Sequence, residues 1–408
     1  MTVTENSPLH SVQHATQLIH SVRIPPETEW VPWTAAIGRV LAQPIRADRD
    51  FPPFDRVAMD GVALQHSRWV AGQRVFPVQG SQAAGQPRGT LASPEACLEV
   101  MTGAPLPRGC DCVIPVELLA REGGGVRLSE DAAPVPMRHV HLQASDRKQG
   151  ECLLNAGTRL RSPEIAVAVT VGLARIPVIQ RPRITVLATG DELVPVENTP
   201  LPHQIRQSNG PALVAALQRA GHDVLPLCHV PDDATALDLA LERALGESRV
   251  VVLSGGVSMG RHDLVPEALA RHGVRVVFHK VSQRPGKPLW FGRDESGHTV
   301  FALPGNPVST AVCLHRYVLP WLEHCLTGIA PEPQRLRLAE DVSFQAPLSF
   351  FLPVKLDADS EGRALARPVP TAGSGDFARL CASDGFVELP RGPRLHPAGE
   401  SVPWWPWI

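Results

Sequence analysis

The sequence predicts a multidomain α/β protein. Its centre, residues 181–330, is expected to be an α/β domain with a mostly parallel sheet. A β-rich part and helical linker pieces come before it, and a small β-barrel-like domain follows. Three observations carry this expectation. From Arg183 onward, apolar runs of strand length alternate with amphipathic runs of helix length, the pattern of a parallel sheet covered by helices on both faces. Residues 60–145 and 335–408 instead break into short apolar runs between Gly, Pro and polar clusters, as β-domains do. Finally, 408 residues exceed one ordinary core, and about two to four domains are expected.

The elements follow in order. Leu9, Val12, Ala15, Leu18, Ile19 and Val22 share one face of a helix over 9–22. A second helix is expected over 33–41, capped by Thr34. The double proline in ADRDFPPFDRVAMDGVAL forces an extended turn. VALQHS, RVFPVQG, ACLEVMTGA and DCVIPVE read as strands, and REGGGVRL as a hairpin turn. A helix is expected over 158–176, with Ser162 as cap and Pro163 in its first turn, and 177–182 is a short linker. Then come strand RITVLAT, helix SNGPALVAALQRAG, strand HDVLPLCHV, helix PDDATALDLALERALG, and strands RVVVLS and RVVFHKV. The division expected from this is 1–46 with 147–180, 47–146, 181–330 and 331–408. The tail SVPWWPWI has three tryptophans, which either pack on their own domain, the favoured reading, or form a partner surface.

Composition excludes several classes. Hydrophobic content of 43% and charged content of 20% describe a globular chain, and a net charge of -2 argues against a general nucleic-acid binder. No run reaches the ~18 uncharged apolar residues of a membrane span, and the N-terminus is not a secretory signal. Eight scattered cysteines without a CxxC pair read as reduced cytosolic thiols, neither a disulfide framework nor a zinc site. The 41 prolines suit rigid linkers between small domains, or a GC-rich codon bias.

Three loops in residues 251–310 carry the functional signal. In VVLSGGVSMGRHD, Gly255 and Gly256 let backbone approach a ligand, while Ser254, Ser258 and Gly260 belong to the same N–H-rich turn. Asp263 either caps the next helix or holds a metal. In HKVSQRPGKPLWFG, Lys280, Arg284 and Lys287 place three cations beside a rigid Pro-Gly turn, suited to a dianion. In FALPGNPVS, Pro304 to Pro307 form a tight turn into a helix, and Ser309 adds a hydroxyl. The first and second loops, together with TGDE at 189–192, lie beyond strand ends and are expected to converge. Carboxylates follow strands at Asp191, Glu192, Asp232 and Asp233, with others at Asp55, Asp60 and Asp146; such hard oxygens suit Mg²⁺ beside a phosphorylated substrate.

PPFDRVAMDGVAL, VMTGAPLPRGCDCVIPVE, RPRITVLATGDELVP, SGGVSMGRHD, HKVSQRPGKPL and ALPGNPVS, in this order, resemble the MoeA-type molybdopterin molybdenumtransferases, including the gephyrin E domain. The likeness runs from about residue 9 to 390, and the central domain resembles the MogA-like molybdopterin-binding fold. The resemblance implies a cytoplasmic transferase of molybdenum cofactor biosynthesis. It would take adenylylated molybdopterin and molybdate, cleave the pyrophosphate link with Mg²⁺ assistance, release AMP and leave molybdenum on the dithiolene. It further implies an elongated homodimer, with molybdopterin adenylyltransferase and molybdoenzyme maturation proteins as candidate partners. By motif, Ser254, Gly255, Gly256, Ser258 and Gly260 would take the pterin phosphate. Lys280, Arg284, Lys287, Pro304, Pro307, Ser309 and Ser374 would take molybdate. Asp60, Thr102, Asp146, Glu192, Asp232 and Asp263 would be catalytic, with Glu192 and Asp263 as metal ligands.

Departures from the family pattern point to an alternative. Arg56-Val57 stands for Asn-Ser, Val62 for Tyr, His141 for a common Arg, Arg284 for Lys, Gln207 for an acid and Pro353 for an arginine in a loose alignment. These losses fit a divergent paralogue that binds or delivers molybdopterin or the finished cofactor without inserting metal. A scaffold built on the same fold is a third reading. Molybdate and tungstate are nearly the same size and charge, and no residue here separates them.

Overall fold

The computed structural model describes residues 9–257, 264–370, 373 and 375–407. The chain folds as two units, Trp30–Val178 and Met1–Glu29 with Ile179–Ile408.

In the unit of residues 30–178, six strands form one sheet in the spatial order Cys112–Pro115, Gly61–Leu64, Cys97–Val100, Val75–Gln82, Gly125–Leu128 and Leu119–Glu122. The last two are the expected hairpin; Gly123 and Gly124 turn it with φ of +54° and +81°, a pair of left-handed residues that glycine adopts without strain. Phe76, Leu64 and Ile114 are buried beneath the sheet. A separate cluster around Leu41, Leu160, Ile176 and Val178 carries the helix Ser162–Thr170.

Three local expectations in this unit change. Residues 33–41 form only a single 3-10 turn, Trp33–Ala35. Gly38 then takes φ +70°, and Val40 and Leu41 pair as extended chain with Arg159 and Val178. The expected helix over 158–176 spans Ser162–Thr170 alone, because Gly172 turns left-handed and Arg175–Ile179 becomes a strand. Its cap is Arg161, not Ser162: Glu164 accepts the Arg161 backbone N–H at 2.9 Å and pairs with its guanidinium at 2.7 Å.

The other unit is built on a six-stranded sheet: β1 (Ile184–Thr189), β2 (Cys228–Val230), β3 (Val250–Ser254), β4 (Arg275–His279), β5 (Trp290–Arg293) and β6 (Thr299–Leu303). The spatial order is β2-β1-β3-β6-β5-β4. The first four in that order are parallel; β5 alone is reversed, antiparallel to both β6 and the edge strand β4, so β4 runs in the direction of the first four. Strands β1, β3 and β6 are buried along their whole length, which is why each reads as an unbroken apolar run. HDVLPLCHV yields only the short β2, since Pro226 lacks an N–H and Val224 makes a single bridge to Ile184.

The helix Val12–Ser21 packs in this unit. Ser11 caps it, accepting the His14 N–H at 3.1 Å, and Val12, Ala15 and Ile19 are its buried face. Trp321 Nε1 donates to the Val22 carbonyl at 2.8 Å. Phe278, Phe291, Phe301 and Trp321 form a chain of rings with centroids 5.6, 4.7 and 5.2 Å apart.

Residues 334–406 supply a closed five-stranded barrel. Ser349–Ala358 pairs with both Ala364–Pro368 and Gly385–Leu389, and Gln334–Leu338 and Ser401–Pro406 complete the ring. The tail tryptophans pack inward, but only Trp404 joins the barrel core of its own domain as expected; Trp405 and Trp407 join the core cluster of the α/β part.

Phe301 is fully buried in the middle of the ring chain. Phe301→Ala is expected to lower unfolding stability by about 3–5 kcal/mol, read from the urea midpoint; a change under ~1 kcal/mol would show that the site collapses without loss.

Candidate functional site

The register of the parallel strands sets the site. Ala188 pairs with Ser254, and Ser254 pairs with Leu303, so the loops after β1, β3 and β6 leave the sheet at one level. Together they line a cavity of about 490 Å³, a size suited to a small organic ligand. Thr189, Gly190 and Glu192 come from the first loop, Ser254, Gly255 and Gly256 from the second, and Pro304 to Pro307 from the third. Gly255 has φ +100°, and a Cβ there would stand 2.6 Å from the Thr189 carbonyl oxygen. A Cβ on Gly256, at φ +66°, would stand 2.4 Å from Val265 Cγ2. Both glycines are therefore required by backbone shape and by close approach.

Side chains tie these loops together. Asn209 Nδ2 donates to Ser254 Oγ at 3.0 Å and to the Gly305 carbonyl at 2.7 Å, joining the second and third loops. His229 Nε2 lies 3.0 Å from the Gly190 carbonyl, and Asp191 Oδ1 accepts the Asp232 N–H at 2.9 Å. Asp233 caps the helix Ala234–Glu247, accepting from Ala236 N at 2.8 Å, while its neighbour Asp232 lines the cavity. Asn209 reads in the sequence only as a helix start; its partners lie 45 and 96 residues away, and only the strand register brings them to it. Gln207 also lines the cavity, and its buried Nε2 has no hydrogen-bond partner among the described residues.

A second cavity of about 390 Å³ adjoins the first, with Pro288 and Asn306 lining both. Arg284, Lys287 and Ser309 line it, and so do Phe350 and Pro353 of the barrel. Here the expected convergence is refined. TGDE and the β3 loop meet in the first cavity, whereas the cations of the RPGKP turn line the second. Lys280 lines neither; its N–H donates to the Leu289 carbonyl at 2.9 Å. Ser258, Gly260, Asp263 and Ser374 lie outside the described residues.

Asp60, Thr102 and Asp146 belong to the unit of residues 30–178. Thr102 donates to Asp60 Oδ1 through its N–H at 2.7 Å and its hydroxyl at 2.8 Å. These two bonds, the backbone one first, hold the Asp60 carboxyl below its ordinary range. Two of the departures meet here. Arg56 and His141 are cross-strand partners, with Arg56 Nη2 3.1 Å from His141 Nδ1, and His141 Nε2 is 2.8 Å from Asp146 Oδ1. Arg56, His141 and Asp146 are thus one connected chain.

Because the Asp60 pKa is lowered on folding, its stabilising contribution is present above the unfolded pKa and is lost as pH falls through the folded one. Thr102→Val removes the hydroxyl and keeps the N–H. The Asp60 pKa, followed by carboxyl NMR, is expected to rise toward the ordinary carboxylate value; an unchanged pKa would show that the hydroxyl bond does not form.

Comparison with known proteins agrees along the chain. Residues 10–172 match the MoeA N-terminal region (domain I and II), 185–324 the probable molybdopterin binding domain, and 335–407 the MoeA C-terminal region (domain IV). A molybdopterin molybdenumtransferase of Synechocystis sp. is 42% identical over 371 residues, covering 91% of this chain and 93% of that protein. One from Bacillus subtilis is 30% identical over 383 residues, covering 92% and 89%. A solved structure of the molybdopterin biosynthesis MoeA protein from Pyrococcus horikoshii superimposes with a TM-score of 0.84 at 30% identity, covering 98% of this chain and all of that one. With these matches spanning both units and all three loops of the cavity, the chain belongs to the MoeA family.

Proposed function

We propose that this protein is a molybdopterin molybdenumtransferase of molybdenum cofactor biosynthesis, taking adenylylated molybdopterin and molybdate and releasing AMP. The observation that carries the reading is the pair of adjoining cavities, one walled by phosphate-suited loops and carboxylates, the other by two cations. In this reading the Ser254–Gly256 turn receives phosphate oxygens at the Gly256 N–H, the Gly255 N–H being taken by the Leu303 carbonyl. Arg284 and Lys287, with Ser309, attract the molybdate dianion into the neighbouring space. Pro288 and Asn306, common to both cavities, lie where the two ligands would meet.

The donor set fits Mg²⁺. Among the described residues, Glu192 and Asp232 line the first cavity and their carboxylates have no hydrogen-bond or ion-pair partner. Two hard carboxylates beside a phosphate site are what Mg²⁺ ordinarily uses, the substrate oxygens and waters completing its shell. When bound it would neutralise charge on the pyrophosphate link. We assign Glu192 and Asp232 to holding it, with Asp263 as a further ligand on motif grounds. Asp60, Thr102 and Asp146 are assigned catalytic roles, and Lys280 and Ser374 molybdate contacts, on the same grounds. The division into four domains is supported by the ranges of the family matches. A homodimer and a cytoplasmic location rest on the resemblance. No helix among the described residues is long and apolar enough to cross a membrane.

The test is AMP release from adenylylated molybdopterin with Mg²⁺, with molybdate and tungstate run in parallel. Release that requires the oxyanion is expected. Pterin binding without release would instead favour a binding or delivery protein. Lys287→Ala is expected to raise the molybdate KM about ten- to a hundredfold, the scale of one lost charge-assisted bond, with pterin affinity nearly unchanged. Equal losses in both would overturn the assignment of Lys287.

A further inference from the structure

Behind the Arg284–Lys287 turn lies a buried polar network that the proposed reaction does not use. Gln283 and Cys313 are fully buried, and Tyr317 is 1% exposed. Tyr317 Oη donates to Gln283 Oε1. Gln283 Nε2 in turn donates to the Pro285 and Gly286 carbonyls, each at 3.2 Å, and lies 3.7 Å from Cys313 Sγ. Burial pushes the Cys313 thiol up, so it keeps its proton and can donate to the Gly286 carbonyl, 3.7 Å away. A Cβ on Gly286 would stand 2.7 Å from both Gln283 Nε2 and Cys313 Sγ, and the residue takes φ +87°. The turn is therefore pressed against the amide with no room for a side chain.

This arrangement is not what packing alone would select. The chain has 11 phenylalanines and 8 tryptophans but a single tyrosine, placed where a hydroxyl is needed by a buried amide. A half-satisfied buried network costs more than an apolar core of the same shape, while a fully satisfied one allows a single arrangement. Here the Gln283 amide has both ends bonded, and what it specifies is the path of the turn. The carbonyls of Pro285 and Gly286 are held toward Gln283, while the flanking cations line the second cavity.

We propose that Gln283 and Tyr317 are positioning residues that set the Arg284–Lys287 turn for oxyanion capture, which rests on the reading of that turn as the molybdate site. Gln283 stands in the wall of the second cavity but is fully buried, and Tyr317 is buried with it, so their effect falls on molybdate affinity through Arg284 and Lys287.

The test separates positioning from mere stability. Gln283→Met, Tyr317→Phe and the double variant are compared in urea unfolding and in molybdate-dependent AMP release. Gln283→Met strands the Tyr317 hydroxyl and takes the amide donor from the Pro285 and Gly286 carbonyls, and Tyr317→Phe strands Gln283 Oε1; the double variant removes the stranded hydroxyl and is expected to recover part of the stability lost in Gln283→Met. If the pair positions the turn, the molybdate KM stays raised about tenfold in Gln283→Met and in the double variant, with kcat at saturating molybdate within about twofold of the parent. A double variant with the parental molybdate KM overturns the inference, whatever part of the stability it recovers. Lys287→Ala in the same assay tells the two failures apart. A raised KM there with a parental KM in the double variant overturns the inference alone, and an unchanged KM there overturns the molybdate reading and the inference with it.

Discussion

The parallel register of β1, β3 and β6 is the constraint on which the rest depends. Hydrogen bonding fixes Ala188, Ser254 and Leu303 at one height, and the Gly255 N–H donates to the Leu303 carbonyl at 3.1 Å just past the last rung. A slip of one residue in β3 would move Ser254 and both glycines out of the cavity and turn its buried side chains to the opposite face. The apolar continuity of these strands and the placement of the glycines are thus one requirement expressed twice. The buried strands hold the register, and the register brings together loops that are separate in sequence.

Much of this was legible because it is local. An unbroken apolar strand followed by Gly-Gly, or a Pro-rich turn opening a helix, reads from a dozen residues. What could not be read was set by distant partners. Residues 33–41 have helical spacing, yet Val40 and Leu41 find better burial as extended chain against residues 159 and 178. Ser162 has the chemistry of a cap, but Glu164 reaches the backbone of Arg161 first. Asn209 and Gln283 look unremarkable in sequence because every partner that defines them, apart from the adjacent carbonyls of Gln283, comes from another loop or helix.

The departures at Arg56 and His141 also read differently in the folded chain. Taken one at a time they are two losses from a polar network 85 residues apart in sequence. In the structure they face each other across a two-stranded ladder and end on Asp146. A guanidinium remains in the group, on the opposite strand from the one the resemblance would expect. The network has been rearranged, with its acid still held.

The barrel reaches into the site through one short ladder. Gln283 and Arg284 pair in parallel with Ser349 and Phe350, so the strand that leads into the cationic turn is an edge strand of the C-terminal sheet. A partly buried ion pair, Arg316 to Glu388 at 2.7 Å, fastens the same two parts beside Trp405. This has a consequence in time. The chain emerges from synthesis N-terminus first. The three loops of the first cavity and the Tyr317 tether are all present once about residue 320 has been made, but the turn has no strand partner until residues 349–350 follow. The second cavity, which also needs Phe350 and Pro353, is therefore the last part of the site to be completed.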